Sequence, residues 1–220
     1  MAENKTQSEP LFSKKNIGLL KDPLTDNNPV TVQVLGICSA LAITAELKAS
    51  VIMGLSVIFV LGAGNVVISL LRNLIPSSIR IIAQLVIAAA LVILVDLTLK
   101  AYVPDLAKKL SVFVGLIITN CIVMGRLEAF ALGNKPYDSI LDGFGSALGY
   151  SWIILAVAFF RELFGSGSVF GVPVFDTVAG FIGDDFSFAT NGLMVTPVGA
   201  FIILGLIIWV QRTKTGYVEH

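Results

Sequence analysis

The sequence carries little charge for its length. Only 14% of its 220 residues are Asp, Glu, Lys or Arg, whereas 55% are hydrophobic, and the mean hydropathy is +0.87. Soluble domains contain about 25% charged and about 45–50% apolar residues. The composition therefore excludes an ordinary water-soluble domain and predicts an integral membrane protein embedded in the lipid bilayer.

Several chemical groups are also scarce. Fifteen basic residues balance fifteen acidic ones, which argues against a nucleic-acid partner. The single histidine is His220, the last residue, so the usual general base and imidazole ligand are missing elsewhere. The glycine-rich stretch 165–168 lacks the Gly-Lys-Ser/Thr of a phosphate-binding loop. We expect no catalytic residue on this chain and no site for NADH or a flavin.

Long runs without any charged residue dominate what is present. Each run is close to or longer than the length that a bilayer requires, and none shows the alternation of a barrel strand. We therefore expect an all-α membrane protein with six transmembrane helices. The runs cover residues 27–45, 49–71, 81–95 (extending to 99 past Asp96), 110–125, 143–160 and 186–211.

The segments outside these runs define the predicted organisation. Residues 1–25 form a polar tail, residues 26–213 the six-helix membrane domain, and residues 214–220 a C-terminal tail. The glycine-rich interval 161–185 is typical of a loop and not of a seventh span. With six spans, ten of the fifteen Lys and Arg fall on the side of the termini, which places both termini in the cytoplasm.

Two of the six runs are short. Residues 30–45 and 110–125 each span sixteen residues, which gives about 24 Å of helix against a hydrocarbon core of about 30 Å. The order is thus short, long, long, repeated once. Because each half has three helices, the halves must lie in opposite orientations. This predicts an inverted repeat, about 30–100 and 110–211, with a functional site where the short helices meet.

The two cysteines of the chain fall on the two short helices, as Cys38 and Cys121. A cysteine in a membrane helix can be a small apolar side chain and no more. Alternatively, the two thiols form a dithiol redox pair, or half of a four-sulfur site for an iron–sulfur centre. A complete set of four would require a partner chain, and no Cys-x-x-Cys spacing supports a cluster by itself.

Few other polar groups lie within the runs. Asp96 and Lys100 have the spacing of an ion pair within one helix. We expect Arg126 with Glu128, and Arg161 with Glu162, to lie at the membrane interface. No carboxylate falls in the middle of a run, which argues against ion transport by this chain alone.

The uncharged polar residues have a simpler interpretation. Asn65, Gln84 and Asn120, with Thr119, are expected to form hydrogen bonds between helices. Asn120, which precedes Cys121, is also placed to orient a sulfur-bound centre.

Several motifs together resemble one family. They are DNNP at 26–29, VQVLGICSALA at 32–42, LRN at 71–73, IP at 75–76, RII at 80–82, SVFVGLIITNCIVMGR at 111–126, EAFA at 128–131, DG at 142–143 and FRELFGSG at 160–167. Over about residues 23–213 the chain is similar to the D-subunit family of the sodium-translocating NADH:quinone oxidoreductase. The E-type membrane protein of the related Rnf complex is similar, but the DNNP start favours the sodium pump.

The resemblance implies a membrane subunit that pairs with a homologous six-helix partner, the E subunit, in a bacterial inner membrane. In that family, one cysteine from each short helix of both proteins holds an iron centre, taken to be [2Fe–2S]. Cys38 and Cys121 would be this chain's metal ligands. The centre would pass electrons from a cytoplasmic flavin-carrying protein to a flavin on the outer side, as part of NADH:ubiquinone reduction that drives sodium transport.

Two alternatives to this function stay open at this point. One is a component of an Rnf-type complex, which exchanges electrons between ferredoxin and NAD. The other is a stand-alone secondary transporter with its site between the short helices. The cysteine pair and the missing midplane carboxylates favour the electron relay over the transporter.

Overall fold

The structure is a computed structural model that describes residues 18, 20, 22–24, 27–102, 104, 113–169, 172–173 and 192–215. Within them the chain is helical apart from one pair of two-residue strands. The helices are α1 (Ile37–Ile43), α2 (Leu47–Leu71), α3 (Arg80–Tyr102), α4 (Cys121–Arg126), α5 (Pro136–Ser166), α6 (Gly192–Val195) and α7 (Pro197–Thr215). A 3₁₀ turn, Ser77–Ile79, precedes α3, and a π-helix, Leu127–Ala131, follows α4.

Four segments of the described chain are long and apolar enough to cross a membrane. They are Leu47–Leu71, Arg80–Tyr102, Phe113–Ala131 and Pro136–Gly165. Each contains or overlaps one of the predicted runs, namely the second to the fifth. The prediction of a multi-pass, all-helical membrane protein is therefore confirmed.

The first and sixth predicted runs are represented by shorter helices. Of residues 27–45, only α1 is helical, and the preceding residues form turns. The sixth run is described from residue 192 onward, and there an apolar helix covers Pro197–Thr213. Its first part, like the tails 1–17 and 216–220, lies outside the described residues. The count of six spans and the inverted repeat stay predictions.

The core of the fold is the packing of α2 against α5. Small residues bring the two helices together, because a Cβ added to Gly54 would lie 3.0 Å from the Ser151 hydroxyl. A Cβ on Gly143 would lie 2.7 Å from the Asn65 amide nitrogen, which donates to the Ser139 carbonyl at 2.9 Å. This contact confirms the interhelical role predicted for Asn65.

Helix α3 lies at the edge of the bundle. It is the least buried of the four spans, and much of its surface is apolar, with Ile82, Val86, Ile93 and Leu97 exposed. Such a surface suits contact with lipid chains. The predicted ion pair is confirmed here, with 2.6 Å between Lys100 Nζ and Asp96 Oδ2.

Non-helical residues precede both cysteines. Before α1 the chain forms turns, in which Val34 and Gly36 both have positive φ, 58° and 81°. In the fourth span, residues 119–120 interrupt the helix between residues 113–118 and α4. Cys38 and Cys121 therefore each lie at the start of a short helix that begins inside a predicted membrane run.

The predicted loop 161–185 begins later than expected. Helix α5 continues through Ser166 and ends at Gly167, whose positive φ of 65° suits a helix C-terminus. A small hairpin follows, with Ser168–Val169 paired antiparallel to Val172–Pro173. Residues 174–191 lie outside the described part of the chain.

Candidate functional site

The two predicted metal ligands occupy comparable places. Cys38 is the second residue of α1 and Cys121 is the first residue of α4. Both thiols are free and both are exposed on the surface of the chain. A partner molecule could therefore reach both sulfurs without rearrangement of the core.

A buried cluster of three polar side chains connects the two cysteine-bearing segments. The Tyr150 hydroxyl of α5 lies 2.5 Å from the Ser39 hydroxyl, and Asn120 Nδ2 donates to both, at 3.1 Å to Tyr150 and 3.2 Å to Ser39. We call Ser39, Asn120 and Tyr150 the polar triad. Ser39 directly follows Cys38 and Asn120 directly precedes Cys121, so one hydrogen-bonded cluster joins the neighbours of both thiols.

The polar triad also fixes the backbone beside each cysteine. The Ser39 hydroxyl donates to the Gly36 carbonyl at 2.9 Å, across the first turn of α1. The Asn120 side-chain oxygen accepts from the Ile122 N–H at 3.4 Å and caps α4. All three triad residues are almost completely buried, with exposures of 4%, 3% and 0% for Ser39, Asn120 and Tyr150. Because these bonds lie in the low-dielectric protein interior, losing one of them would leave a buried polar group unpaired and would destabilise the fold.

The two cysteine-bearing segments meet at the polar triad. Cys38 precedes Ser39 and Cys121 follows Asn120, and these two triad residues are hydrogen-bonded to each other at 3.2 Å. The structure thus brings together the segments that carry the predicted ligands, although the cysteines are 83 positions apart in the sequence. Their role as metal ligands remains a prediction.

Gly36 allows the backbone just before α1 to lie close to the Tyr150 ring. Its φ of 81° is unfavourable for any residue with a Cβ, and that Cβ would lie 2.7 Å from Tyr150 Cε2. We expect Gly36→Ala to destabilise the protein by about 1–3 kcal/mol through backbone strain alone, and further through displacement of the Tyr150 ring. The thermal unfolding midpoint of the purified protein measures this effect.

Gly205→Ala is the matched control for Gly36→Ala. It lies in α7, and a Cβ there would meet nothing within 4 Å. We expect this variant to unfold at or slightly above the wild-type midpoint, because alanine favours helices. Equal midpoints for Gly36→Ala and Gly205→Ala would contradict the interpretation of Gly36.

The described residues do not form a complete metal site by themselves. No group of three or more His, Cys, Asp or Glu side chains that could hold a metal ion occurs among the described residues. Two cysteines fit half of a four-thiolate iron–sulfur centre, whose remaining ligands would come from another chain. The exposure of both sulfurs is compatible with that arrangement.

The charged residues at the ends of α4 and α5 have buried partners within the bundle. The Arg126 guanidinium donates to Asp142 Oδ1 at 2.9 Å and to the Ser146 hydroxyl at 2.8 Å, and the Asp142 side chain is only 3% exposed. Asp142 lies within a helix long and apolar enough to span, one residue before the predicted charge-free run. The expected interfacial position of Arg126 and Glu128 stays a prediction.

Arg161 and Glu162 are likewise buried within the bundle, and their expected position at the membrane interface stays a prediction. Arg161 is 2% exposed and Glu162 is 8% exposed. The Glu162 carboxylate accepts from the backbone N–H of Leu47 at 2.6 Å, at the first turn of α2. The Arg161 guanidinium donates to five oxygens, which belong to Leu41, Thr44, Met194, Val195 and Thr196.

Glu128 joins the fourth span to α3. Its two carboxylate oxygens accept from Gln84 at 2.6 Å and from Arg80 at 3.2 Å. The interhelical role expected for Gln84 is confirmed, whereas the partner of Glu128 was not predicted. Residues two positions apart lie on nearly opposite faces of a helix, so Glu128 reaches α3 while Arg126 reaches α5.

Tyr150 and Ser39 were not singled out in the sequence. A tyrosine inside an apolar membrane run needs a partner for its hydroxyl, and that signal could have marked Tyr150. The partner itself could not be identified, because Ser39 lies 111 residues away.

Comparison with known proteins adds an independent line of evidence. A family model described as "Rnf-Nqr subunit, membrane protein" matches residues 16–208. A protein of Pasteurella multocida, named as the D subunit of Na(+)-translocating NADH-quinone reductase, is 55% identical over 208 residues, which cover 94% of this chain and 98% of the relative. Proteins with the same name from Photobacterium profundum and Haemophilus influenzae are 50% and 52% identical, over 96% and 89% of this chain and 95% and 92% of the relatives. The chain therefore belongs to the Rnf-Nqr family of membrane subunits.

Proposed function

We propose that the chain is the D subunit of a sodium-translocating NADH:quinone oxidoreductase and relays electrons across a bacterial inner membrane. In this proposal Cys38 and Cys121 supply two thiolates to an iron–sulfur centre, [2Fe–2S], and a homologous E subunit supplies two more. The observation that carries it is that the two cysteines of the chain lie beside one buried polar triad and are exposed to a partner. The names of the relatives support the same complex.

The proposal includes a six-helix, inverted-repeat architecture with both termini in the cytoplasm. Cys38 and Cys121 each begin a short helix that follows non-helical residues, which supports a repeat in which equivalent short helices meet within the membrane. Flavins and NADH would bind to other proteins of the complex. The relatives carry the name of the sodium-translocating enzyme, which favours it over an Rnf-type complex.

The role expected of this chain is to position two of the ligands. A bound iron–sulfur centre would supply one-electron transfer, and because the hydrocarbon core is about 30 Å thick, such a group midway would divide the distance that electrons must cross. The chain's own contribution is to hold two exposed sulfurs at fixed places. The polar triad provides hydrogen bonds beside both sulfurs, of the kind that orient metal ligands.

The buried carboxylate does not point to ion transport by this chain alone. Asp142 forms an ion pair with Arg126, so its charge is compensated inside the membrane span. A transporter site would instead place such a group toward an open path. The stand-alone transporter is therefore the weaker candidate.

Substitution of the cysteines tests the proposal. We expect Cys38→Ser and Cys121→Ser, each in the purified complex, to lose iron and to lower NADH-to-quinone turnover by at least about hundredfold. Even residues that only surround a metal site change activity by about 10–100-fold. Iron content, the spectrum of the reduced complex and turnover are the measurements.

Ala42→Ser serves as the matched control for the cysteine variants. Ala42 is exposed on α1 one turn from Cys38, so the variant places the same hydroxymethyl group on the same helix face. Wild-type iron and turnover are expected for it. Full iron and turnover in both cysteine variants would refute the relay, and sodium uptake by vesicles containing this chain alone would support a transporter.

A further inference from the structure

We propose that Tyr150 is a positioning residue for the cysteine pair. Through Ser39 and Asn120, its hydroxyl sets the placement of Cys38 relative to Cys121. The inference rests on the proposed function, in which these two thiols hold the iron centre, and it assigns a role to a residue of α5 that carries no ligand itself.

The polar triad connects the neighbours of both cysteines to one hydroxyl group on α5. Each cysteine is directly bonded in sequence to one triad member, Ser39 or Asn120, and both members bond to the single Tyr150 hydroxyl. The two segments also touch each other, since Asn120 donates to Ser39 at 3.2 Å. A shift of either segment therefore breaks a bond at Tyr150.

No continuous helix leads into either cysteine and fixes its position. Non-helical residues precede each of them, ending at Gly36 in the first segment and covering residues 119–120 in the second. Side-chain bonds to a neighbouring rigid element must then supply the missing constraint. Helix α5, with 31 residues, is the longest helix described and packs through the core.

Helix α5 also bonds to the C-terminal ends of the short helices α1 and α4. Arg161 donates to Leu41 and Thr44 at the end of α1, and Asp142 and Ser146 accept from Arg126 at the end of α4. Tyr150 lies between these two anchors along α5 and contacts the cysteine ends. One helix thus fixes both short helices at both of their ends.

The hydrogen bonds of the triad are mutually consistent. Ser39 donates to the Gly36 carbonyl, so Tyr150 donates to Ser39, and the two N–H bonds of Asn120 are shared between the hydroxyls. Loss of the Tyr150 hydroxyl would remove the one partner that Ser39 and Asn120 share on α5, and only their bonds to each other, to Gly36 and to Ile122 would remain. Both cysteine segments would then relax, whereas the tyrosine ring would still fill its space.

The test compares Tyr150→Phe and Ser39→Ala with wild type in the assembled complex. Tyr137→Phe is the matched control, because it removes the same hydroxyl from the same helix at an exposed site. The first measurement is the rate of iron loss to a chelator, together with the electron paramagnetic resonance spectrum of the reduced complex. We expect about tenfold faster loss and a changed spectrum for the two triad variants.

The second measurement does not depend on iron. The complex is stripped of iron and treated with a short bismaleimide, and mass spectrometry quantifies the link between Cys38 and Cys121. We expect the yield of this link to fall in Tyr150→Phe and in Ser39→Ala, and to match wild type in Tyr137→Phe. The double variant should lose no more than the larger single effect, because the two side chains act as one unit.

The outcomes separate the two proposals. If the cysteine variants keep their iron while the bismaleimide yield still falls in the triad variants, the iron relay fails and the positioning role of Tyr150 stands. If Tyr150→Phe and Ser39→Ala match Tyr137→Phe in the bismaleimide yield, the positioning role is refuted. A lower unfolding midpoint of Tyr150→Phe with an unchanged spectrum and an unchanged yield would likewise reduce Tyr150 to a structural residue.

Discussion

Arg161→Met is expected to destabilise the protein by at least about 3 kcal/mol, because five oxygens lose their donor at once. Arg161 is 2% exposed, and its described partners are neutral oxygens. Methionine has a similar length, so the change removes the donors without opening a large cavity. The unfolding midpoint of the purified protein is the measurement.

Two further variants define what Arg161 contributes. Arg161→Lys keeps the charge but has fewer hydrogen-bond donors. We therefore expect its unfolding midpoint to lie between those of the wild type and of Arg161→Met. Arg72→Met removes a partly buried guanidinium that donates to the Asn134 carbonyl, and its effect should be smaller. Equal midpoints for Arg161→Met and Arg72→Met would contradict the assigned role.

We also expect Arg161→Met to destabilise one part of the fold more than the rest, the junction between α6 and α7. Three of the five acceptors, the carbonyls of Met194, Val195 and Thr196, lie where α6 ends and α7 begins. Without Arg161 this junction loses its anchor on α5. We expect faster proteolysis near residue 196 in Arg161→Met than in Arg72→Met.

Asp142→Ala is expected to produce a loss of about 3–5 kcal/mol. The substitution leaves the Arg126 guanidinium, 15% exposed, with Ser146 as its remaining described partner inside the membrane span. The cost arises mainly from the uncompensated charge and less from the lost bond. Thermal unfolding again measures it.

The double variant Arg126→Met/Asp142→Leu distinguishes these two contributions. Because it removes both charges, we expect it to be more stable than Asp142→Ala. Asp96→Ala is the exposed counterpart, since it breaks the ion pair with Lys100 on the bundle surface and should cost under about 1 kcal/mol. A loss in Asp96→Ala as large as in Asp142→Ala would refute the distinction.

The long helices of the fold were predictable from the sequence because hydropathy requires no knowledge of neighbours. Residues 49–71 and 81–99 read as spans, and α2 and α3 cover them. The ends of α5 were not predictable in this way. A rule that stops a span at every charge excludes Asp142 and Arg161, whereas the helix retains both because partners on other segments compensate them.

The candidate site was predictable in part. Cys38 and Cys121 were identified by their rarity and by their position on short runs, and in the structure the residue next to each of them bonds to the Tyr150 hydroxyl. The polar triad itself depends on three segments that meet in space. Sequence spacing contains no information about a contact between Ser39 and Tyr150, or about the positive φ of Gly36 that permits it.

The length of the fourth span matters at residues 126–128, where the π-helix Leu127–Ala131 begins. Deleting Leu127 would make Arg126 and Glu128 neighbours in the sequence, about 100° apart around the helix instead of on nearly opposite faces. The two side chains could then no longer face α5 and α3 at the same time. In evolutionary terms, this short stretch should tolerate substitutions far better than insertions or deletions.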